Sequence, residues 1–156
     1  MRLSDILSVS RTRVVTQEGA RLDKPGALRQ LAELLARDLP VDAERLAQLL
    51  EQRERLQSTG IGDGVAIPHT ALEEVPRQTA ALLLCPKGIP FDSVDGQPVG
   101  IVFGVVGPKR MAGEHLKTLA RVSRLLRSPE TRQALLAVTE PEAAYAYVEE
   151  RDRALG

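Results

Sequence analysis

Ser58-Thr59-Gly60-Ile61-Gly62-Asp63-Gly64-Val65-Ala66-Ile67-Pro68-His69 breaks the character of the chain around it. Glycine alternates at 60, 62 and 64, and the brief apolar run Val65-Ala66-Ile67 is closed by Pro68. This pattern predicts a tight loop feeding a short strand, with His69 at its end.

Reading outward toward the N-terminus, the period is helical. Asp23-Lys24-Pro25 has the form of a helix start, with Asp23 as N-cap and proline in the first turn. Leu28, Leu31, Ala32 and Leu35 follow at helical spacing. A second helix is predicted from Asp42, with Leu46, Leu49, Leu50 and Arg53 on one face. Reading outward toward the C-terminus, Ala80 to Cys85 and Val99 to Val106 are continuous apolar runs, the pattern of buried strands. Between them, Phe91 to Pro98 carries turn chemistry that includes Asp95-Gly96. Pro108 to Gly113 breaks the pattern, and helical spacing returns from about Ala112 to Arg127. Ser128-Pro129 opens a further helix, with Leu135 and Leu136 on its buried side. Thr139-Glu140-Pro141-Glu142 has the spacing of a capping box and opens a last helix that buries Ala144, Tyr147 and Val148. Helices before and after strands predict an α/β sheet covered on both faces.

Composition narrows the function. The 156 residues suit one domain, and 21 basic against 21 acidic residues give no basic footprint for nucleic acid. No apolar run approaches a membrane span. Met1 to Leu7 is too short and too polar for a signal peptide, so a soluble, untargeted, cytoplasmic protein is expected. Cys85, the single cysteine, sits inside an apolar strand and reads as a packing residue. The two histidines lie far apart in sequence, so no local metal-ligand spacing exists. The glycine series is not GxGxxG and no GxxxxGK[ST] occurs, so a dinucleotide or P-loop site is not expected.

Three residues are candidates for chemistry. His69 could be a nucleophile, because neutral imidazole attacks and leaves well near neutral pH; a plain loop histidine fits the same spacing. His115 falls in the first turn of its helix with Leu119, Val122 and Leu126 below it, which puts it on the inward face. It could donate to a phosphate held elsewhere, or bond a backbone carbonyl at the core edge. Arg53 extends the apolar stripe of its helix toward the glycine loop. There it could grip phosphate oxygens, or simply pair with a nearby glutamate.

The Ser58–His69 segment closely resembles the phosphohistidine motif of the fructose- and nitrogen-type enzyme IIA family of the phosphoenolpyruvate-dependent phosphotransferase system. Arg53-Glu54 stands before it at the family's spacing, and Glu114-His115-Leu116-Lys117-Thr118-Leu119 resembles the family's second-histidine helix. Leu3-Ser4-Asp5-Ile6-Leu7 resembles its N-terminus, so the likeness covers nearly the whole chain. The resemblance implies a three-layer α/β/α sandwich with a mixed central sheet, and a single enzyme IIA type-2 domain over 1–156. It implies that His69 accepts phosphate from the phosphocarrier HPr or its nitrogen-branch equivalent, in a glycine-lined pocket, with His115 and Arg53 assisting. No metal or organic cofactor is implied. The nearest likeness is to the nitrogen-regulatory enzyme IIA, with a regulated target protein as partner. A sugar-specific relay to a fructose- or mannitol-type enzyme IIB is the alternative, and a binding module without phosphorylation is a third. Thr70 departs from the family, which commonly has Gly or Ala there, and adds bulk beside the site.

Overall fold

The computed structural model describes residues 2–15 and 22–156. After two single-turn 3-10 helices (Leu3–Asp5 and Val9–Arg11) come β1 (Thr12–Val14), α1 (Lys24–Ala36) and α2 (Ala43–Leu56). The strands β2 (Gly60–Gly62), β3 (Val65–Ala66), β4 (His69–Leu72), β5 (Thr79–Ile89) and β6 (Val99–Pro108) follow. The chain then runs through α3 (Ala112–Leu126), α4 (Pro129–Ala137) and α5 (Pro141–Ala154).

The helix starts obey local chemistry. Asp23 Oδ1 accepts from the Gly26 N–H at 2.8 Å, Asp42 Oδ1 from Glu44 at 2.9 Å and Ser128 Oγ from Thr131 at 3.3 Å. These side chains satisfy donors that a helix N-terminus leaves open. The expected capping box at the start of α5 does not form. Glu140 occupies the N-cap position without a side-chain bond, and Pro141 at N1 fixes the start instead.

The six strands form one mixed sheet in the order β1-β5-β6-β3-β2, with β4 also on β6. β5 and β6 pair antiparallel, whereas β1 on β5 and both β3 and β4 on β6 are parallel. Alternation along β5 sends Ala81, Leu83 and Cys85 to the layer of α1 and α2. Ala80, Leu82 and Leu84 face the layer of α3, α4 and α5. The predicted three-layer arrangement is therefore present. Gly104 decides how closely α1 approaches, since a Cβ there would lie 2.4 Å from Leu31 Cδ2.

Three strands escape the sequence reading: β2 falls in the segment read as a tight loop. β1 has only three residues, and β4 follows a proline that hides its continuity with β3. β3 and β4 both run parallel to β6, and the Pro68 carbonyl between them accepts from the Val105 N–H at 3.0 Å. On α5, Ala144 and Val148 are buried as expected, but Tyr147 is only half-buried. The third buried position belongs to Asp152, whose Oδ2 accepts from the Leu3 N–H at 2.7 Å and whose Oδ1 accepts from Arg121 Nε at 2.6 Å. This carboxylate joins the N-terminal turn, α3 and α5 at a fully buried point. Asp152→Ala should lower unfolding free energy by about 3 kcal/mol, the scale for stranding one partner of a buried ion pair. Urea denaturation measures it, and a loss below about 1 kcal/mol would show that water replaces the carboxylate.

Candidate functional site

The glycine segment folds as a β2–β3 hairpin whose turn residues Asp63 and Gly64 have φ of 57° and 76°. Positive φ at both central positions matches the twist of the flanking strands. The glycines serve this hairpin and its packing. A Cβ at Gly60 would meet Ser93 Oγ at 2.5 Å, and Gly62 faces the Asp95 carboxylate. Asp95 in turn accepts from the Asp63 N–H at 3.0 Å and the Gln97 N–H at 3.1 Å, bonds that hold its carboxyl below the usual range.

α2 contributes differently from expectation. The buried stripe Leu46-Ala47-Leu50 continues through Glu54, at 6% exposure, and not through Arg53, which is half-buried one position around the helix. Four-residue spacing from Leu50 accounts for it. Glu54 pairs with Lys24 at 3.0 Å and accepts the Thr59 N–H at 3.0 Å together with the Thr59 hydroxyl. It thereby ties α1, α2 and the glycine segment together. Arg53 Nη1 donates to the Gln57 carbonyl at 3.0 Å, so the guanidinium does sit at the entrance to that segment.

His69 opens β4 and is half-buried. Its Nδ1 lies 2.8 Å from the Ile67 carbonyl oxygen, an atom that only accepts. Nδ1 therefore carries the proton, and Nε2 presents a lone pair. His115 comes in from the first turn of α3, buried at 8% exposure on a helix that also buries Val122 and Leu126. The two ring centroids are 5.8 Å apart with planes tilted by 54°. The fold thus brings together two histidines 46 positions apart in sequence (115 − 69).

Burial chiefly lowers the pKa of His69; Arg53 lowers it further, and the Ile67 carbonyl and Glu54 act in the opposite direction. Burial and then His69 lower that of His115. Both rings are thus neutral at pH 7. The neutral His115 has its one N–H engaged: Nδ1 faces Gln78 Oε1 at 3.1 Å, leaving Nε2 buried without a partner. Gln78 carries no sequence signal beyond its position before an apolar strand, and sequence reasoning misses it. Burial pushes the Cys85 thiol up to about 12, which makes it inert as expected. Among the described residues no cluster of His, Cys, Asp and Glu could hold a metal, and no helix is long and apolar enough to cross a membrane.

The lowered values set a pH dependence. A folded-state pKa below 6.5 means that the unfolded chain binds more protons once pH drops through 6.5, so stability falls with pH from there down to the folded pKa values. NMR titration should place both histidines below 6.5, and urea midpoints should decline over that window. A His69 midpoint above 6.5 would contradict the assignment.

The family model described as "Phosphoenolpyruvate-dependent sugar phosphotransferase system, EIIA 2" matches residues 9–151. A nitrogen regulatory protein of Pseudomonas aeruginosa is 36% identical over 95% of this chain and 95% of its own length. A fructose-specific EIIA component of Haloferax volcanii is 31% identical over 87% of this chain and 89% of its own. Among solved structures, the nitrogen regulatory protein IIA-Ntr of Neisseria meningitidis superposes with a TM-score of 0.85 at 30% identity, covering 94% of this chain and 98% of that one.

Proposed function

We propose, for a chain that belongs to the phosphoenolpyruvate-dependent sugar phosphotransferase system EIIA 2 family, that His69 is the residue that carries the phosphoryl group and that Nε2 is the atom that bears it. The observation that carries this reading is the Ile67 carbonyl on Nδ1, which fixes the tautomer and leaves Nε2 as the nucleophile. The donor is a phosphohistidine on an HPr-like phosphocarrier. The Nε2 lone pair forms the new P–N bond as the donor's P–N bond breaks, and that bond's electron pair stays on the donor nitrogen. His69 keeps its Nδ1–H and becomes cationic, a charge the Ile67 carbonyl supports. In-line positioning and neutralisation of the phosphoryl oxygens are the main demands of such a transfer. Arg53 supplies positive charge at the entrance. His115 meets a phosphoryl oxygen through Nε2. Because its Nδ1–H is held by Gln78, it donates as imidazolium, with a second proton taken from solvent that the phosphoryl charge favours. The whole of 1–156 acts as a single enzyme IIA type-2 domain in the cytoplasm.

The reading extends to a regulatory role, in which the phosphorylation state of His69 governs binding to a target protein. Relatives named nitrogen regulatory proteins, aligned over nearly their full length, support it. A sugar relay to a fructose-type enzyme IIB is the second reading, favoured by the fructose-specific EIIA component at similar identity. Thr70 lies half-buried in β4 beside His69, where its bulk tunes the fit of the partner.

Incubation with phosphoenolpyruvate, enzyme I and HPr should add one acid-labile, base-stable phosphoryl group by intact mass. His69→Ala should take up none; stoichiometric uptake by that variant refutes the assignment. Arg53→Ala should slow uptake by about ten- to a hundredfold, the scale of a lost charge-assisted hydrogen bond, with the fold intact. His115→Ala should accept phosphate yet transfer it poorly, and wild-type rates in both directions would leave His115 a packing residue.

A further inference from the structure

Gln78 stands just before β5. Thr79 pairs with Val106, so Gln78 sits opposite Gly107 on β6. A Cβ at Gly107 would lie 2.3 Å from Gln78 Nε2 and 2.7 Å from its Cδ. Gly107 has no positive φ, so what this position requires is empty space. The missing side chain leaves a gap in β6, and the Gln78 amide lies across it. At the far side its Oε1 reaches His115 Nδ1 at 3.1 Å. Gln78 is 7% exposed and His115 8%, and the Nε2 atoms of both are buried without a hydrogen-bond partner. One unmatched buried polar atom asks for an explanation. Two lie on the same contact, and the His115 ring is centred 5.8 Å from that of His69.

We propose that Gln78 is a positioning residue for phosphoryl transfer, holding His115 by Nδ1 across the side-chain gap at Gly107 so that Nε2 of His115 is the nitrogen presented to the phosphoryl group on His69. The proposal rests on the carrier reading of His69. An amide oxygen accepts only, so the contact selects the Nδ1–H form of the ring. The same contact stays favourable when Nε2 takes its second proton, since Nδ1–H is retained. The amide N–H groups of Gln78 have no hydrogen-bond acceptor among the described residues. Around this ring, His69 of β4 is the titratable group that acts on it, and Arg53 and Glu54 of α2 act on His69. On α3 itself, Glu114 and Lys117 are exposed. A packing role alone would not dictate which imidazole nitrogen bears hydrogen, and the tautomer is therefore the decisive readout.

The test uses 15N-labelled full chain as wild type, Gln78→Met, which keeps the shape without the hydrogen bond, and Gln78→Glu, which restores an acceptor. Histidine nitrogen shifts are recorded before and after phosphorylation by phosphoenolpyruvate, enzyme I and HPr, together with the transfer rate. His115 should be the Nδ1–H form in wild type, keep Nδ1 protonated in Gln78→Glu (whose carboxylate also favours a second proton on Nε2), lose that preference in Gln78→Met, and gain an Nε2 proton in the phosphorylated wild type. Gln78→Met should transfer about tenfold more slowly, the kinetic equivalent of one lost hydrogen bond. An Nε2–H form of His115 in free wild type overturns the proposal without recourse to any variant. So do unchanged shifts and rate in a folded Gln78→Met. A wild type that takes up no phosphate instead overturns the carrier reading, and the role of Gln78 in transfer with it.

Discussion

The whole structure depends on β6 being buried along its full length, from Val99 to Pro108. It has β5 on one side, β3 and β4 on the other, and a helical layer against each face. Nothing can cross such a strand unless a side chain is missing. Of the three glycines in β6, Gly104 and Gly107 open on opposite faces because they are three residues apart, and Gly100 admits Leu136 of α4. Gly104 admits Leu31 and seats α1; Gly107 admits Gln78, which reaches His115. A strand built for the core thereby also governs access to the site.

Polar groups enclosed in this frame fix how its pieces meet. Arg11 Nε and Nη2 donate to the carbonyls of Ala80 and Ile6, each at 2.9 Å, and the guanidinium pairs with Asp38. Asp152 clamps the N-terminal turn to α3 and α5, and Glu54 holds α1, α2 and Thr59 at one point. Each charge is matched, which is what its burial demands. Glu54 matters most for the site, because Thr59 also accepts the Ile67 N–H at 3.0 Å. The carboxylate is thus two hydrogen bonds from the residue whose carbonyl sets the His69 tautomer.

Hydrophobic period and helix caps made most of this architecture legible. The two long apolar runs became β5 and β6, and Asp23, Asp42 and Ser128 cap the helices they were expected to open. His69 and His115 were legible as candidates, and the fold places them side by side. What stayed hidden involves partners distant in sequence. Glu54, Asp152 and Gln78 look like surface residues until the segments that satisfy them arrive, because period alone cannot tell a solvated charge from a paired one. Arg53 was assigned to the buried stripe although helical geometry favours the i+4 position, Glu54. The glycine pattern alone does not show the hairpin: the φ values of Asp63 and Gly64 and the approach of Ser93 and Asp95 to Gly60 and Gly62 set it.

On the proposed reading, the same burial that keeps His69 a neutral nucleophile works against the phosphorylated form. Attack by Nε2 makes the ring cationic while Nδ1–H stays in place, and a half-buried ring is poorly solvated for that charge. The Ile67 carbonyl and Glu54 favour the cation; desolvation and Arg53 oppose it. Arg53 reverses its effect once the phosphoryl group arrives, because it then faces anionic oxygens as well as the ring. A carrier gains from such opposed influences. A deeply stabilised phosphohistidine would hold its cargo, and an unsupported one would lose it to water before a partner docked. Partial burial of His69, beside a buried His115 and with a half-exposed Arg53 acting on its ring, puts these opposed influences on one residue, so that on this reading the bound partner decides the direction of transfer.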